Sequence, residues 1–139
     1  MKSKNKIKFT IKRKKEKPWF KKKIPGDHIL RFYHDLISRH PFMSISKNGN
    51  VYYGHEMTTH PSLTNKGKPR AGYILFKRNP NPKSKENSYY HKSIKRICSP
   101  KNRMPRLSRR KWFLSKKDLK KLRKMDRHKI KNVRPATNK

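Results

Sequence analysis

Acidic side chains are scarce in this sequence, which has seven aspartates and glutamates against 42 lysines and arginines. The formal net charge is +35 on 139 residues, so the basic side chains repel one another in any compact state. A polyanion is therefore expected to supply the missing negative charge. Nucleic acid is the obvious polyanion. The scarcity also leaves no carboxylate pair for two-metal nuclease chemistry, with Glu56 the single acid in the segment that looks most structured.

Cysteine is scarce as well, and long apolar runs are absent. Cys98 stands alone, so it cannot form an internal disulfide or a cysteine-based zinc site. No apolar run approaches the roughly 20 residues that a membrane span needs, and none resembles the core of a signal peptide. We therefore expect a soluble, cytoplasmic protein with no membrane partner.

Glycine-rich loops and spaced metal ligands are also absent. The five glycines are scattered singly, so nucleotide hydrolysis has no phosphate-binding motif behind it. Seven histidines invite a metal interpretation, but no two of them flank a glutamate at metal-binding spacing and none neighbours the cysteine. We expect no metal and no other cofactor. The alternatives are surface or phosphate-contacting imidazoles, or a general acid or base among His40, His55 and His60, which lie beside turns.

Aromatic residues are present in numbers that a disordered polycation does not need, with two tryptophans, six tyrosines and six phenylalanines. Short apolar or aromatic runs bounded by turn residues predict strands at 29–33, 41–46, 51–53, 73–76 and 89–90, the last leading to Ile94 and Ile97. The Asn-Gly pair within 47–50 predicts a type I′ hairpin turn, whereas Leu36 and Ile37 fit either a strand end or a short turn. A mainly β fold, a small barrel or sandwich, is expected.

Basic segments flank and interrupt these runs. Residues 1–23 are mostly lysine, and the alternation of Ile7, Phe9 and Ile11 fits an edge strand or, as we favour, an arm that orders on RNA. Residues 60–70 and 79–85 are predicted loops along which a phosphate backbone can lie.

A C-terminal helix is predicted at about 115–130. Ser115 can cap its first turn, and Asp118 occupies the position of a capping-box acid. One narrow apolar stripe runs along it, formed by Leu119, Leu122, Met125 and Ile130. The main domain is therefore expected to span 24–130, and residues 131–139 to form a loose tail.

RNA can be cleaved without a metal, because its 2′-hydroxyl is an internal nucleophile. A protein then has to remove that proton, stabilise the charge on the phosphorane oxygens and protonate the leaving oxygen. Arginine suits the charged transition state because its planar fork binds two phosphate oxygens. The candidates are Arg39, with the hydroxyls of Thr58 and Thr59 as further hydrogen-bond donors.

Six short motifs follow one another between residues 24 and 130. They are Pro25-Gly26-Asp27, Arg39-His40-Pro41 with the apolar run after it, His55-Glu56-Met57-Thr58-Thr59, Tyr73-Ile74-Leu75-Phe76, Ser93-Ile94-Lys95-Arg96-Ile97 and Leu114-Ser115-Lys116-Lys117-Asp118-Leu119. In this order they resemble the PemK/MazF family of toxin endoribonucleases. The resemblance implies an SH3-like β-barrel with a closing helix, usually a homodimer, that cuts single-stranded RNA without metal and leaves a cyclic phosphate. It makes Arg39 the catalytic arginine and Thr58 the catalytic threonine, with Thr59 as the alternative.

Two functions remain open at this point. The first is such an endoribonuclease, with RNA contacts from His40, His55, His60, Lys66, Lys68, Arg70, Lys77 and Arg78, and with an acidic antitoxin protein as a partner. The second is a non-enzymatic RNA-binding protein, for example a ribosome-associated one, which the composition alone favours. Tyr52, Tyr53, Tyr73, Tyr89 and Tyr90 fit base stacking or, as we favour, packing inside the barrel.

Overall fold

The computed structural model describes residues 23–99, 104–107, 111–130 and 132–136. Within them seven strands form one sheet, and one helix lies between the sixth and the seventh strand in the chain. The predicted arm at 1–23 lies outside the described residues except for Lys23. The strands are β1 Ile29–His34, β2 Pro41–Asn48, β3 Val51–Thr58, β4 Tyr73–Leu75, β5 Tyr89–His91, β6 Lys95–Cys98 and β7 Arg134–Pro135, and the helix is α1 Lys116–Asp126.

Strands β1, β2 and β3 form an antiparallel meander that begins the sheet. The predicted hairpin between β2 and β3 is confirmed, with Asn48 paired to Val51 across the turn. Positive φ occurs at Gly49 (62°) and not at the asparagines on either side of it. This is the requirement of a type II′ turn and not of the type I′ turn that the Asn-Gly pair predicted.

The third strand holds the two halves of the sheet together. Its first half, Val51 to Gly54, pairs with β6, and its last two residues, Met57 and Thr58, pair with β5, which in turn pairs with β4. The sheet thereby curls into half a barrel. The prediction of a mainly β fold with a C-terminal helix is confirmed.

Alternate residues of the strands face opposite sides of the sheet, as the two-residue period of a strand requires. The main core lies on one side and includes Phe32, Met43 and Met57 together with the helix residue Leu122. A smaller cluster lies on the other side, formed by Tyr33, Phe42, Tyr52, Ile97 and Met104. Tyr52, Tyr53 and Tyr90 are all buried, so the packing interpretation holds for these three tyrosines.

Helix α1 begins as predicted. Ser115 Oγ accepts a hydrogen bond from the Asp118 N–H at 3.2 Å, and the Asp118 carboxylate also accepts from the backbone N–H groups of Lys77 (2.8 Å) and Arg78 (3.2 Å). The buried Asp118 therefore joins the start of the helix to the segment after β4. The predicted apolar stripe also faces the main core. No helix among the described residues is both long and apolar enough to cross a membrane.

The C-terminal end of the chain departs from two predictions. The helix ends at Asp126 instead of continuing to residue 130. The residues after it form a turn in which the Asp126 carbonyl accepts from the N–H groups of Lys129 (2.9 Å) and Ile130 (3.1 Å), while the Lys129 carbonyl accepts from Ile24 N–H at 2.8 Å. The tail is not loose over its described part, since β7 pairs in parallel with Ile29 and Leu30 of β1 and Val133 is buried. A single apolar residue among charged ones was too weak a signal to predict this.

Candidate functional site

Two adjoining cavities lie where β2 begins and β3 ends. The larger has a volume of about 540 Å³ and the smaller about 320 Å³. Four residues line both of them: His40, Met57, Thr58 and His60. Glu56, Tyr73, His91 and Lys95 are among the further residues of the larger cavity, and Arg39, Thr59 and Trp112 are among those of the smaller one.

Arg39 reaches the smaller cavity from a tight turn between β1 and β2. Asp35 builds this turn, because its Oδ1 accepts a hydrogen bond from Ile37 N–H at 3.0 Å while its own carbonyl accepts from Arg39 N–H at 2.7 Å. Arg39 itself has a φ of 65°, in the left-handed region that non-glycine residues rarely adopt. Leu36 and Ile37 therefore belong to a turn, which resolves the two alternatives that the sequence left open.

The end of β3 supplies the hydroxyl groups. Thr58 Oγ1 accepts a hydrogen bond from His60 N–H at 3.0 Å, and Thr59 Oγ1 lies 3.0 Å from His60 Nδ1. The structure thus brings Arg39, Thr58 and Thr59, the three predicted catalytic residues, to one cavity, and it adds His40 and His60 to the same walls. This cavity offers a cation, two hydroxyls and two imidazoles to a phosphodiester.

His55 is not part of this surface. Its side chain is 0% exposed, with Nε2 at 2.8 Å from Asp126 Oδ2 and Nδ1 at 2.8 Å from the His91 carbonyl oxygen. A carbonyl oxygen can only accept, so Nδ1 carries a proton and donates it. The predicted RNA contact of His55 is wrong, because a fully buried imidazole has no surface to offer. The alternation of Tyr53, His55 and Met57 along β3 was the signal that the residue faces the core.

The predicted basic RNA contacts lie outside both cavities. Lys66, Lys68 and Arg70 are exposed on the loop after β3, where Thr64 Oγ1 accepts from the N–H groups of Lys66 and Lys68 at 3.3 Å each. Lys77 and Arg78 are exposed beside the helix start, and the Arg78 guanidinium lies 5.0 Å from the centre of the Phe113 ring. These five residues are exposed and do not line either cavity.

Two carboxyl groups meet at the wall of the larger cavity, although they are far apart in sequence. Lys95 Nζ lies 3.6 Å from Asp35 Oδ2 and 3.7 Å from Glu56 Oε1, and the Asp35 side chain is 3% exposed. Sequence reasoning missed this pair, since only the pairing of β1 and β3 with β2 between them brings Asp35 next to Glu56.

The pKa values of the two carboxyl groups are shifted in opposite directions. Burial raises the pKa of Glu56, and the charge and hydrogen bond of Asp35 raise it further, against the lowering effects of the Ser38 hydroxyl and Lys95. Burial alone would also raise the pKa of Asp35, but hydrogen bonds from Ile37, Ser38 and Glu56 outweigh it and lower that pKa. Asp35 therefore retains its charge while Glu56 holds a proton more readily than an ordinary glutamate.

Metal ligands are not grouped at this site. Within the part of the chain that the structure describes, no three histidine, cysteine, aspartate or glutamate side chains are arranged to hold a metal ion. Comparison of the chain with protein-family models, curated proteins and solved structures gave no match. The interpretation of the site therefore rests on its own geometry.

Proposed function

We propose that the protein is a metal-independent endoribonuclease of the PemK/MazF toxin type, built on an SH3-like barrel, that cuts single-stranded RNA. The observation that carries the proposal is the convergence of Arg39, Thr58 and Thr59 on one cavity. These residues come from two separate segments, and they were selected from the sequence for the charge and hydroxyl groups that phosphodiester cleavage needs.

Each group has a distinct role in this proposal. Arg39 binds the non-bridging oxygens of the scissile phosphate and neutralises the charge that develops on them. Thr58 donates a hydrogen bond to the same phosphate, and Thr59 holds the imidazole of His60 at 3.0 Å. The 2′-hydroxyl of the nucleotide on the 5′ side attacks the phosphorus and leaves a cyclic phosphate.

Exposed cations support a long polyanionic substrate. Lys66, Lys68, Arg70, Lys77 and Arg78 are exposed and do not line the cavities, so they are free to contact phosphates away from the cleavage point. A charge of +35 also suits an acidic protein as an inhibitor, while a homodimer is what the resemblance to the PemK/MazF family implies.

A non-enzymatic RNA-binding protein is the second candidate. The observation that favours it is the position of these exposed lysines and arginines, which need no reaction centre to bind a phosphate backbone. Both functions require salt-sensitive RNA binding. For roughly six phosphate contacts, the affinity should fall about 1,000-fold between 50 and 200 mM salt. Binding measurements therefore do not separate them.

Cleavage in EDTA separates the two functions. Purified protein is incubated with long single-stranded RNAs of several sequences, and we expect discrete fragments with cyclic phosphate ends. Arg39→Ala should lower the cleavage rate by about 100- to 1,000-fold, as loss of a charge-stabilising group does. The matched control is Arg96→Ala, which removes the same charge from exposed β6 and should cleave as the unchanged protein does. If none of the RNAs is cleaved and the protein still binds them, the endoribonuclease function is refuted and the RNA-binding function remains.

A further inference from the structure

Glu56 is a chemically active group that the roles above do not use. It lines the larger cavity together with Thr58, and the two residues lie on the same face of β3, because they are two positions apart. Side chains at this spacing start about 6–7 Å apart. A phosphate bound at Thr58 would therefore place the adjoining ribose within reach of the Glu56 carboxyl group.

The two oxygens of Glu56 have different surroundings. Oε1 faces Lys95 Nζ at 3.7 Å, whereas Oε2 is shielded from solvent and has no hydrogen-bond partner among the described residues. A buried acceptor without a partner carries a desolvation cost that a bound hydroxyl would relieve. Because Oε2 is closed off in this conformation, a hydroxyl in the cavity reaches it only after the carboxyl group turns about its last side-chain bond. The hydroxyl then supplies the hydrogen bond that Oε2 lacks.

Neighbouring groups hold Glu56 in place and keep it basic. Asp35 is fixed by the turn before Arg39, and its carboxylate and that of Glu56 both lie beside the Lys95 ammonium group. A negative charge this close strengthens the affinity of Glu56 for a proton, which is the property that a general base near neutral pH requires. Asp35 acts in this way as a positioning residue for both Glu56 and Arg39.

We propose that Glu56 is the general base of the reaction and takes the proton of the ribose 2′-hydroxyl. This inference rests on the proposed endoribonuclease function. The 2′-O–H bond breaks and its proton passes to the Glu56 carboxylate, while the 2′-oxygen forms a bond to phosphorus. The bond from phosphorus to the 5′-oxygen breaks, and that oxygen takes a proton from the imidazolium of His60. The products are a 2′,3′-cyclic phosphate and a 5′-hydroxyl, and no oxidant, reductant or water is consumed.

Glu56→Gln tests the role, because the amide keeps the size of the side chain and loses the basic oxygen. We expect kcat to fall by about 100- to 10,000-fold, the usual contribution of a general base. Glu56→Asp keeps a carboxylate and should lose less. The matched control is Asp27→Asn, the same chemical change at an exposed acid outside both cavities, which should leave kcat unchanged. Circular dichroism melting curves check that each variant is folded.

A modified substrate distinguishes a base from an acid. When sulfur replaces the 5′-bridging oxygen, the leaving group departs without a proton, so a variant that lacks the general acid recovers its rate and one that lacks the base does not. Glu56→Gln should stay slow on this substrate. Two results would overturn the inference. One is that Glu56→Gln cleaves the sulfur-containing substrate as fast as the unchanged protein does, and the other is that the two proteins cleave ordinary RNA at the same rate. If the unchanged protein cuts nothing, the proposed function fails first, and this role fails with it.

The pH profile gives an independent readout. The rise of kcat with pH that reflects ionisation of the base should disappear in Glu56→Gln. The groups that face Glu56 and also titrate or carry charge are Asp35, Lys95, His40, His60, His91 and Tyr73. If kcat of Glu56→Gln still rises with pH as it does in the unchanged protein, the rise belongs to one of these other groups and the role of Glu56 is refuted.

Discussion

Replacing Asp126 with alanine should remove about 3–5 kcal/mol from the free energy of unfolding, because it takes away one partner of a fully buried pair. Asp126 and His55 are both 0% exposed and their contact is 2.8 Å, so the substitution leaves His55 Nε2 buried without its partner. The pair also connects β3 to the last turn of α1. Since a small domain is stabilised by only about 5–15 kcal/mol in total, this single change is expected to remove a large share of it.

Asp126→Asn provides the comparison that isolates the hydrogen bond. His55 Nδ1 donates to the His91 carbonyl, so a neutral His55 has Nε2 as an acceptor, and the asparagine N–H₂ group can donate to it. The asparagine variant should therefore lose only about 1 kcal/mol, the typical net value of one hydrogen bond. The difference between the two variants measures the cost of leaving the buried imidazole without a partner.

Urea unfolding followed by circular dichroism measures both values from the midpoint and the slope. Lys124→Ala, at an exposed position of the same helix, is the control and should stay within about 0.5 kcal/mol of the unchanged protein. The reasoning is wrong if Asp126→Ala loses less than about 1 kcal/mol, or if it matches Asp126→Asn within that margin.

Three further predictions concern stability. A Cβ on Gly54 would overlap the Met43 carbonyl of the neighbouring strand, so Gly54→Ala should cost more than about 2 kcal/mol, whereas Gly49→Ala has open space and should cost about 1–2 kcal/mol for its positive φ. Thermal melting compares them, and equal midpoints would contradict this. The pKa of Glu56 is raised in the folded state, so the contribution of Glu56 to stability is complete below the ordinary glutamate range and is lost as pH rises through the folded-state pKa. Glutamine does not titrate, so Glu56→Gln should gain stability relative to the unchanged protein as pH rises. The lowered pKa of Asp35 has the opposite sign, so Asp35→Asn should cost most above the ordinary aspartate range and least once pH falls through the folded-state pKa. Melting curves across pH test both signs, and a pH-independent difference would refute them.

Local signals were sufficient for the first five strands and for the start of the helix. Apolar runs bounded by turn residues marked the strands, and Ser115 with Asp118 marked the helix start, since both signals depend on neighbours within a few residues. Arg39 and Thr58 could be selected for the same reason, because each sits at the edge of a recognisable strand.

The remaining features depend on contacts between distant segments. Asp126 carried no sign that it would pair with His55, which lies 71 residues earlier, and the short β7 is a strand only because β1 offers it an edge. The interpretation of His55 failed for a different reason. It followed the proximity of the residue to a turn, although the period of β3 already assigned that position to the core.

The acids of this protein are found mainly inside it. Of the six in the described residues, Asp35, Asp118 and Asp126 are buried, Glu56 is partly so, and only Asp27 and Glu86 are exposed. The described exterior is therefore more uniformly cationic than the composition suggests, and two copies that approach each other meet like charges on almost every side. Self-association should then require salt, bound RNA or an acidic partner between the copies. The internal placement of the acids would thus make the assembly of this protein depend on a polyanion between the copies.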